Sequence, residues 1–458
     1  MRCPNGTRKN KNGDCVPKGQ RKRCPNGTRK NKDGDCVAKV QTYHSAQSSP
    51  AQPEIQKAMT RIQSFMRRTT QKRRALFLKN ICSEAGLCIA FGIESLKIKD
   101  FFRNFHFDLV DNVKRIGVPS ANGFVTELRY AKRGYNAYAV LKSSAAADKD
   151  NLMYEYRVGL FLNKMSFLFP CFLETYGLFQ YNNEAAWRHM KTTQQTLPSV
   201  FSTLLKPQPY DLSVGCEKSK HMAVLIQHIR GCQTVKSMLT RHTVHHILPI
   251  LFQVYYSLFH MRSVFTHYDL HDENVILYEP VPGKYIQYHY ETDTGVISFR
   301  SPYIAKIIDY GRSYFKDDED SKDIYKKVCK LPKCKPCGED YGFGSFPLSN
   351  KRDFYHIVSQ KKNESHDLRF LNIVLRTLRS FALPVWLKLY LDKFNVVYKE
   401  TYGTPEHFCK RKTCSVTEAY QVLERVVPLA NVQMDMYHTD KYGDLYIYKD
   451  KPMEFRKI

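Results

Sequence analysis

Apolar positions follow two different periods along this chain. From about residue 110 to 230 they alternate with polar ones over short runs, at Asn112–Ile116, Thr126–Tyr130 and Tyr138–Lys142 and again within 167–180 and 221–228. A period of two lays one face of each run against a core, and the runs read as strands of a five-stranded sheet. One helix interrupts them across 150–164, with Leu152, Tyr156, Leu160 and Met165 on one side, while the polar stretch 182–220 reads as an inserted loop. Beyond 230 the period lengthens to that of a helix. Ile247, Leu248, Leu251, Val254, Tyr255, Leu258 and Phe259 form one stripe, Leu368, Leu371, Leu375 and Leu378 a second, and 415–427 a third helix. Between the first two stripes, 284–290 and 296–300 alternate around Asp293-Thr294-Gly295, which predicts an extra β-hairpin. The expected class is α+β: a β-rich half over 110–230, then a mostly helical half over 231–430. A helical extension (57–109) precedes them and a tyrosine-rich tail (431–458) follows.

The first 39 residues follow neither period. The segment from Cys3 to Cys15 returns as Cys24 to Cys36, 21 residues on, with only Asn12 exchanged for Asp33. Such units hold almost nothing to bury, so they are expected to be flexible or stapled by their own cysteines. The cysteines of a unit stand 12 apart, unlike the close pairs of a zinc site. A disulfide is therefore favoured over a metal, with free thiols the plain alternative. Residues 40–56, rich in Ser, Ala, Gln and Pro, read as a linker.

Charge sharpens this division. The net charge is +27, and residues 1–74 alone hold 19 Lys or Arg against 4 Asp or Glu. Arg67-Arg68 and Lys72-Arg73-Arg74 extend the basic run. A tail of this kind favours polyanions, whether nucleic acid, an anionic membrane surface or an acidic partner, or serves as a solubilising arm. Fourteen cysteines without an apolar leader argue for a reducing compartment and mostly free thiols. The most apolar long stretch, 247–265, is broken by His260 and Arg262, so no membrane span is expected.

The candidate chemistry lies in the two central halves. His267-Tyr268-Asp269-Leu270-His271-Asp272-Glu273-Asn274 sets Asp269 and Asn274 five positions apart, in a loop between the first helical stripe and the strand-like 275–278. Asp309-Tyr310-Gly311 follows another strand-like run. Upstream, Lys142 closes Ala139-Val140-Leu141-Lys142, and Glu155 is the one acid after Asp150 on the helix behind it. These motifs resemble those of the protein kinase family: the catalytic loop with Tyr268 in place of Arg, D-F-G with Tyr310 in place of Phe, and V-A-I-K at 139–142. The glycine-rich loop is degenerate, with Val118 and Ser120 at two glycine positions ahead of Gly123 and Val125.

The resemblance covers about 110–430 and is to serine/threonine kinases of large nucleocytoplasmic DNA viruses such as iridoviruses, whose proteins carry short repeats like the Cys3–Cys15 unit. It implies a two-lobed protein kinase-like fold, with a β-rich N-lobe and a helical C-lobe preceded by a flexible basic repeat tail, and ATP with Mg2+ between the lobes. Asp269 would be the catalytic base. Lys142, paired with Glu155, would contact the α- and β-phosphates, and Asn274 and Asp309 would bind the metal. Val118, Ser120, Gly123 and Val125 would cover the phosphates, and Ala139 with Gln227, His228 and Ile229 would surround the adenine. Asp367 would brace the catalytic loop from the large helix of the C-lobe.

A protein substrate is implied, with the host cytoplasm, a viral factory or the virion as location. His271 stands where serine/threonine kinases have Lys, and D-L-H is similar to choline-kinase-like and aminoglycoside-kinase-like loops, which leaves a small-molecule acceptor open. A catalytically weak pseudokinase serving as a virion scaffold is the alternative from another class. Cys329, Cys334 and Cys337 lack the companion pair that a zinc site needs. Tyr268 is a neutral phenol and cannot gather a phosphate as Arg does, so phosphorylation between Gly311 and Lys351 is not expected to be required. Deleting residues 1–53 is expected to leave phosphotransfer nearly unchanged and to weaken salt-sensitive binding to DNA or RNA, read by fluorescence anisotropy over a salt series. A truncated chain that misfolds would show the tail to be structural.

Overall fold

The structure is a computed structural model. It describes residues 91–317 apart from 121–122, 133–134, 145–151, 209–220 and 241–242, then 343–347, 354–358, 362–397, 412–434 and 440–457, and near the N-terminus 7–9, 15–17, 28–30 and 36–38. The chain divides into two compact units, 1–57 and 58–458. In the first, each repeat forms a small antiparallel hairpin: Thr7–Lys9 pairs with Cys15–Pro17, and Thr28–Lys30 with Cys36–Ala38. Cys15 is disulfide-bonded. A covalent staple does for this unit what burial does for a larger one. The basic run at 67–74 and Cys329, Cys334 and Cys337 lie outside the described residues.

Among the described residues of the second unit the first α-helix is α1 (Ser95–Phe102). A helix this short is marginal in water by itself, and its aromatic side chains hold it. Phe101 and Phe102, with Phe105 and Phe107 just beyond, pack on Tyr130 and Phe179, each burial worth about 1.5–3 kcal/mol. Then come β1 (Val110–Ser120), β2 (Gly123–Lys132), β3 (Tyr135–Ser144), α2 (Leu152–Asn163) and β4 (Thr175–Tyr181). They are followed by α3 (Glu184–Thr192), α4 (Pro198–Leu204), β5 (Leu205–Pro207) and β6 (Met222–Gln227). The strands form one antiparallel sheet in the order β1-β2-β3-β6-β4-β5.

The sheet has six strands rather than the expected five, because the stretch read as a loop supplies α3, α4 and the edge strand β5. Asn183 caps α3 by accepting from the Ala186 amide at 2.8 Å. Trp187, Met190 and Phe201 then enter the sheet's core. One face of the sheet carries that core, with Leu128, Tyr130, Ala139 and Leu141. The opposite face meets α2 through Leu152, Met153, Met222 and Val224.

The helical half is built on α5 (Ile247–Met261), which is buried nearly all round. Around it lie β7 (Gln233–Thr234), β8 (Phe265–Thr266), β9 (Val275–Tyr278), β10 (Tyr285–Glu291), β11 (Val296–Ser301), β12 (Ile304–Ile307) and β13 (Tyr314–Phe315). The chain ends with α6 (Leu368–Leu378), α7 (Val385–Leu391), α8 (Val416–Met434), β14 (Lys441–Ile447) and β15 (Glu454–Lys457). The predicted hairpin is β10–β11. The tail after it is not loose: β14 runs parallel to β10, and β15 closes a four-stranded sheet in the order β11-β10-β14-β15. Gly443, Leu445 and Ile447 alternate inward along β14, which gives the strand its buried face. Among the described residues no helix is long and apolar enough to cross a membrane.

The fit of α2 on β4 depends on one glycine. A Cβ at Gly159 would lie 2.1 Å from Thr175 Oγ1 and 2.8 Å from Thr175 Cβ. Gly159→Ala is therefore expected to destabilise the fold by about 1–3 kcal/mol through overpacking, outweighing the gain of about 1 kcal/mol in helix propensity. Thermal unfolding measures this, and an unchanged or higher midpoint would show that α2 simply gives way.

Candidate active site

β3 turns Lys142 toward α2, and the lysine is shared between two elements. Its Nζ donates to Glu155 at 2.9 Å (Oε1) and 2.7 Å (Oε2), and to Asp309 Oδ1 at 2.9 Å. The lysine side chain is 14% exposed and that of Glu155 only 7%. Burial disfavours the ammonium, but the carboxylates of Asp309 and Glu155 together raise its pKa above the ordinary lysine value. Burial raises Glu155, with Lys142 opposing. It acts the same way on Asp309, where the lysine prevails and the pKa ends below the ordinary carboxylate value.

The loop carrying Asp269 is fixed from α6. Asp367, at the N-terminal end of that helix, accepts from the His267 amide at 2.8 Å and the Tyr268 amide at 3.0 Å. The Tyr255 hydroxyl on α5 donates to the Asp367 carbonyl at 2.9 Å, so the two central helices share this anchor. Tyr268 takes a left-handed backbone conformation, φ 65°, a cost of about 1–3 kcal/mol that its surroundings must offset. Its ring is buried against His366, 4.8 Å between centroids. The phenol in place of Arg is thus a packing residue.

Four further hydrogen bonds set Asp269, Asn274 and the approach to Asp309. The Asp269 amide donates to His267 Nδ1 at 3.3 Å while His267 Nε2 donates to the Ile308 carbonyl at 3.0 Å, which fixes one neutral tautomer. Asn274 Nδ2 donates to the Asp269 carbonyl at 2.9 Å, leaving the amide oxygen for a cation. The Ile308 amide donates to the Asn274 carbonyl at 3.0 Å, so the chain before Asp309 is tied to Asn274. Asp309 itself has φ 68°. Tyr310 is buried, its hydroxyl donating to the Ile307 carbonyl at 2.6 Å and accepting from the Leu173 amide at 3.0 Å. A phenylalanine there could make neither bond. Together Asn274 and Asp309 offer hard oxygen donors of the kind Mg2+ takes.

Strand register decides which of the expected nucleotide contacts share this cleft. Val125 pairs with both Lys142 and Ile116, and Ile226 pairs with Val140. These side chains therefore lie on the lysine's face of the sheet. Ala139 does not: it has the opposite parity and belongs to the aromatic core, and Val140 takes the cleft position expected for it. Gln227 is turned toward β4, its amide donating to the Glu174 carbonyl at 2.8 Å and its Oε1 accepting from the Glu174 amide at 3.4 Å. His228 Nε2 lies 2.6 Å from Glu127 Oε2, and Ile229 is buried. Gly123 pairs with Ser120 across the β1–β2 turn. The side chains of Val118 and Ser120 lie outside the described residues.

The sequence reading overlooked Arg369, whose Nη1 sits 3.0 Å from Asp269 Oδ1. Its place two residues after Asp367, on the helix already assigned to brace the loop, was the available signal. Nor did that reading foresee how the segment after Asp309 is tied down. β13 pairs with β8, the Tyr154 hydroxyl donates to the Ser313 carbonyl, and Lys164 Nζ bonds both oxygens of Asp317 at 2.9 and 3.1 Å. No protein-family model matches the chain, and no curated protein is similar to it in sequence.

Burial pushes the His267 imidazole down to about 4. A base held neutral contributes stability that is present above its unfolded value near 6.5 and is lost as pH falls toward 4, on the order of 3 kcal/mol. Unfolding free energies measured between pH 7 and 4 are expected to fall less steeply in His267→Phe than in the wild type. Parallel curves would remove His267 from the acid sensitivity.

Proposed function

We propose that the protein is a phosphotransferase that moves the γ-phosphoryl group of ATP, with Mg2+, to a hydroxyl, and that a serine or threonine of a protein substrate is its acceptor. The observation that carries this reading is the shared lysine: one buried ammonium joins Glu155 of α2 to Asp309, while Asp367 holds the loop that delivers Asp269 and Asn274 beside them. The residues suit both ligands. Asn274 and Asp309 would hold the metal, Lys142 the phosphates, and Ile116, Val125, Val140 and Ile226 offer an apolar face to the base. When bound, the metal supplies charge neutralisation at the phosphates. Asp269 orients the acceptor hydroxyl and takes its proton. Because Tyr268 is buried and the segment after Asp309 is anchored at Ser313, β13 and Asp317, activity in this reading does not wait on a phosphate.

The test is turnover of radiolabelled ATP–Mg by the full-length protein with dephosphorylated casein, histone, choline and kanamycin as acceptors. Asp269→Asn is expected to lower turnover about 10²–10⁴-fold while calorimetry shows ATP–Mg binding intact, and Lys142→Met to weaken both. Pretreatment with phosphatase is expected to leave the initial rate unchanged. Equal turnover in wild type and Asp269→Asn would refute the reading. Transfer to choline or kanamycin but not to protein would move the acceptor class to small molecules, and ATP binding without any turnover would favour the scaffold alternative.

A further inference from the structure

Asp269 is held by more than its backbone. The oxygen Oδ1 receives Arg369 Nη1 at 3.0 Å, and His271 Nε2 stands 3.8 Å from the same atom. Arg369 is 15% exposed and lies in the first turn of α6, two residues beyond the carboxylate that grips the His267 and Tyr268 amides. One rigid turn therefore fixes both the loop backbone and the side chain at its tip. The charged groups that act on Asp269 are Asp309, His271, Arg369 and Arg312. Of the cations, an imidazole is charged only when protonated, whereas a guanidinium is always charged and presents its donors in a fixed plane. A carboxylate pinned at one oxygen keeps a single rotamer and offers the other oxygen.

We propose that Arg369 is a positioning residue for Asp269, engaging Oδ1 so that Oδ2 meets the acceptor hydroxyl. This rests on the phosphotransferase reading above. In the step it serves, the acceptor oxygen bonds to the γ-phosphorus as the bond from phosphorus to the bridging oxygen breaks. That electron pair leaves on ADP, and the hydroxyl proton passes to Oδ2. Arg369 gains and loses nothing; its part is geometric, so its loss lowers the rate of the step and spares nucleotide affinity.

The experiment compares full-length wild type, Arg369→Gln, Arg369→Lys, Arg369→Ala, Asp269→Asn and the double variant Asp269→Asn/Arg369→Gln, with casein and with water as acceptors. Arg369→Gln is expected to lower kcat about 10²-fold, the scale of a small misplacement of a reacting group, with KM for ATP–Mg unchanged. Arg369→Lys should recover part of the rate. Millimolar guanidinium should restore activity to Arg369→Ala, and the double variant should be no slower than Asp269→Asn alone. A wild-type kcat in Arg369→Gln, or a loss that falls equally on folding and KM and that neither lysine nor guanidinium repairs, would overturn the proposal. An inactive wild type overturns the phosphotransferase reading and this one with it. An active wild type with an inactive Asp269→Asn and an unaffected Arg369→Gln overturns this one alone.

Discussion

The ammonium of Lys142 is the charge that ties the sheet to α2 and to the segment after β12. Two carboxylates, the buried Glu155 on α2 and the half-buried Asp309 just after β12, would repel each other and face a desolvation cost without it. With it, a neighbouring helix and a distant segment converge on one atom: Glu155 and Asp309 lie 13 and 167 residues from Lys142. The arrangement is held in tension, since burial opposes charge on all three groups. The excess negative charge around a single lysine leaves a repulsion that a bound cation would relieve.

Asp367 does for the helical half what Lys142 does for the sheet. A loop that must present an aspartate and an asparagine has no ladder partners of its own, and its backbone amides need acceptors. One carboxylate takes two of them, and burial pushes that carboxyl up to about 7 although both amides favour its ionised form. The strain at Tyr268 is tolerable because its ring is packed and its amide is bonded. The turn that supplies Asp367 also supplies Arg369, so the helix start is a jig for the loop.

Much of this was legible in the sequence because the relevant signals are local. Alternation marked β2, β3 and the β10–β11 hairpin, the apolar stripes marked α5 and α6, and the spacing of Asp269, Asn274 and Asp309 marked one constellation. What escaped has physical causes. α3 and α4 bury only Ala186, Trp187, Met190 and Phe201 within a polar stretch, too few side chains to establish a period. β14 and β15 are strands only because a distant hairpin offers an edge, and no local pattern encodes a partner 150 residues away. Ala139 was assigned to the cleft by its motif, but strand parity tied to Lys142 puts Val140 there. Arg369 carried one cue, its place two residues after Asp367, but a single arginine on a helix reads as solvated surface until the loop it touches is in place.

The connection from α2 to β4 is bonded to distant parts of the chain. Lys99 of α1 donates to the Asn163 carbonyl at 2.7 Å and to Ser166 Oγ at 2.9 Å. The Met453 amide beyond β14 donates to the Phe167 carbonyl at 3.0 Å, the Ile307 amide to the Cys171 carbonyl at 2.7 Å and Lys306 Nζ to the Phe172 carbonyl at 3.0 Å. Three separate parts of the chain thus bind a stretch of ten residues, and two of them, α1 and the segment around Met453, lie outside the region that the motifs span. Swinging α2 away from Lys142 would break several of these bonds together with Lys164–Asp317. The C-terminal end of α2 is thus tied to α1 at Asn163, and the residues just beyond it to Asp317, Met453 and β12.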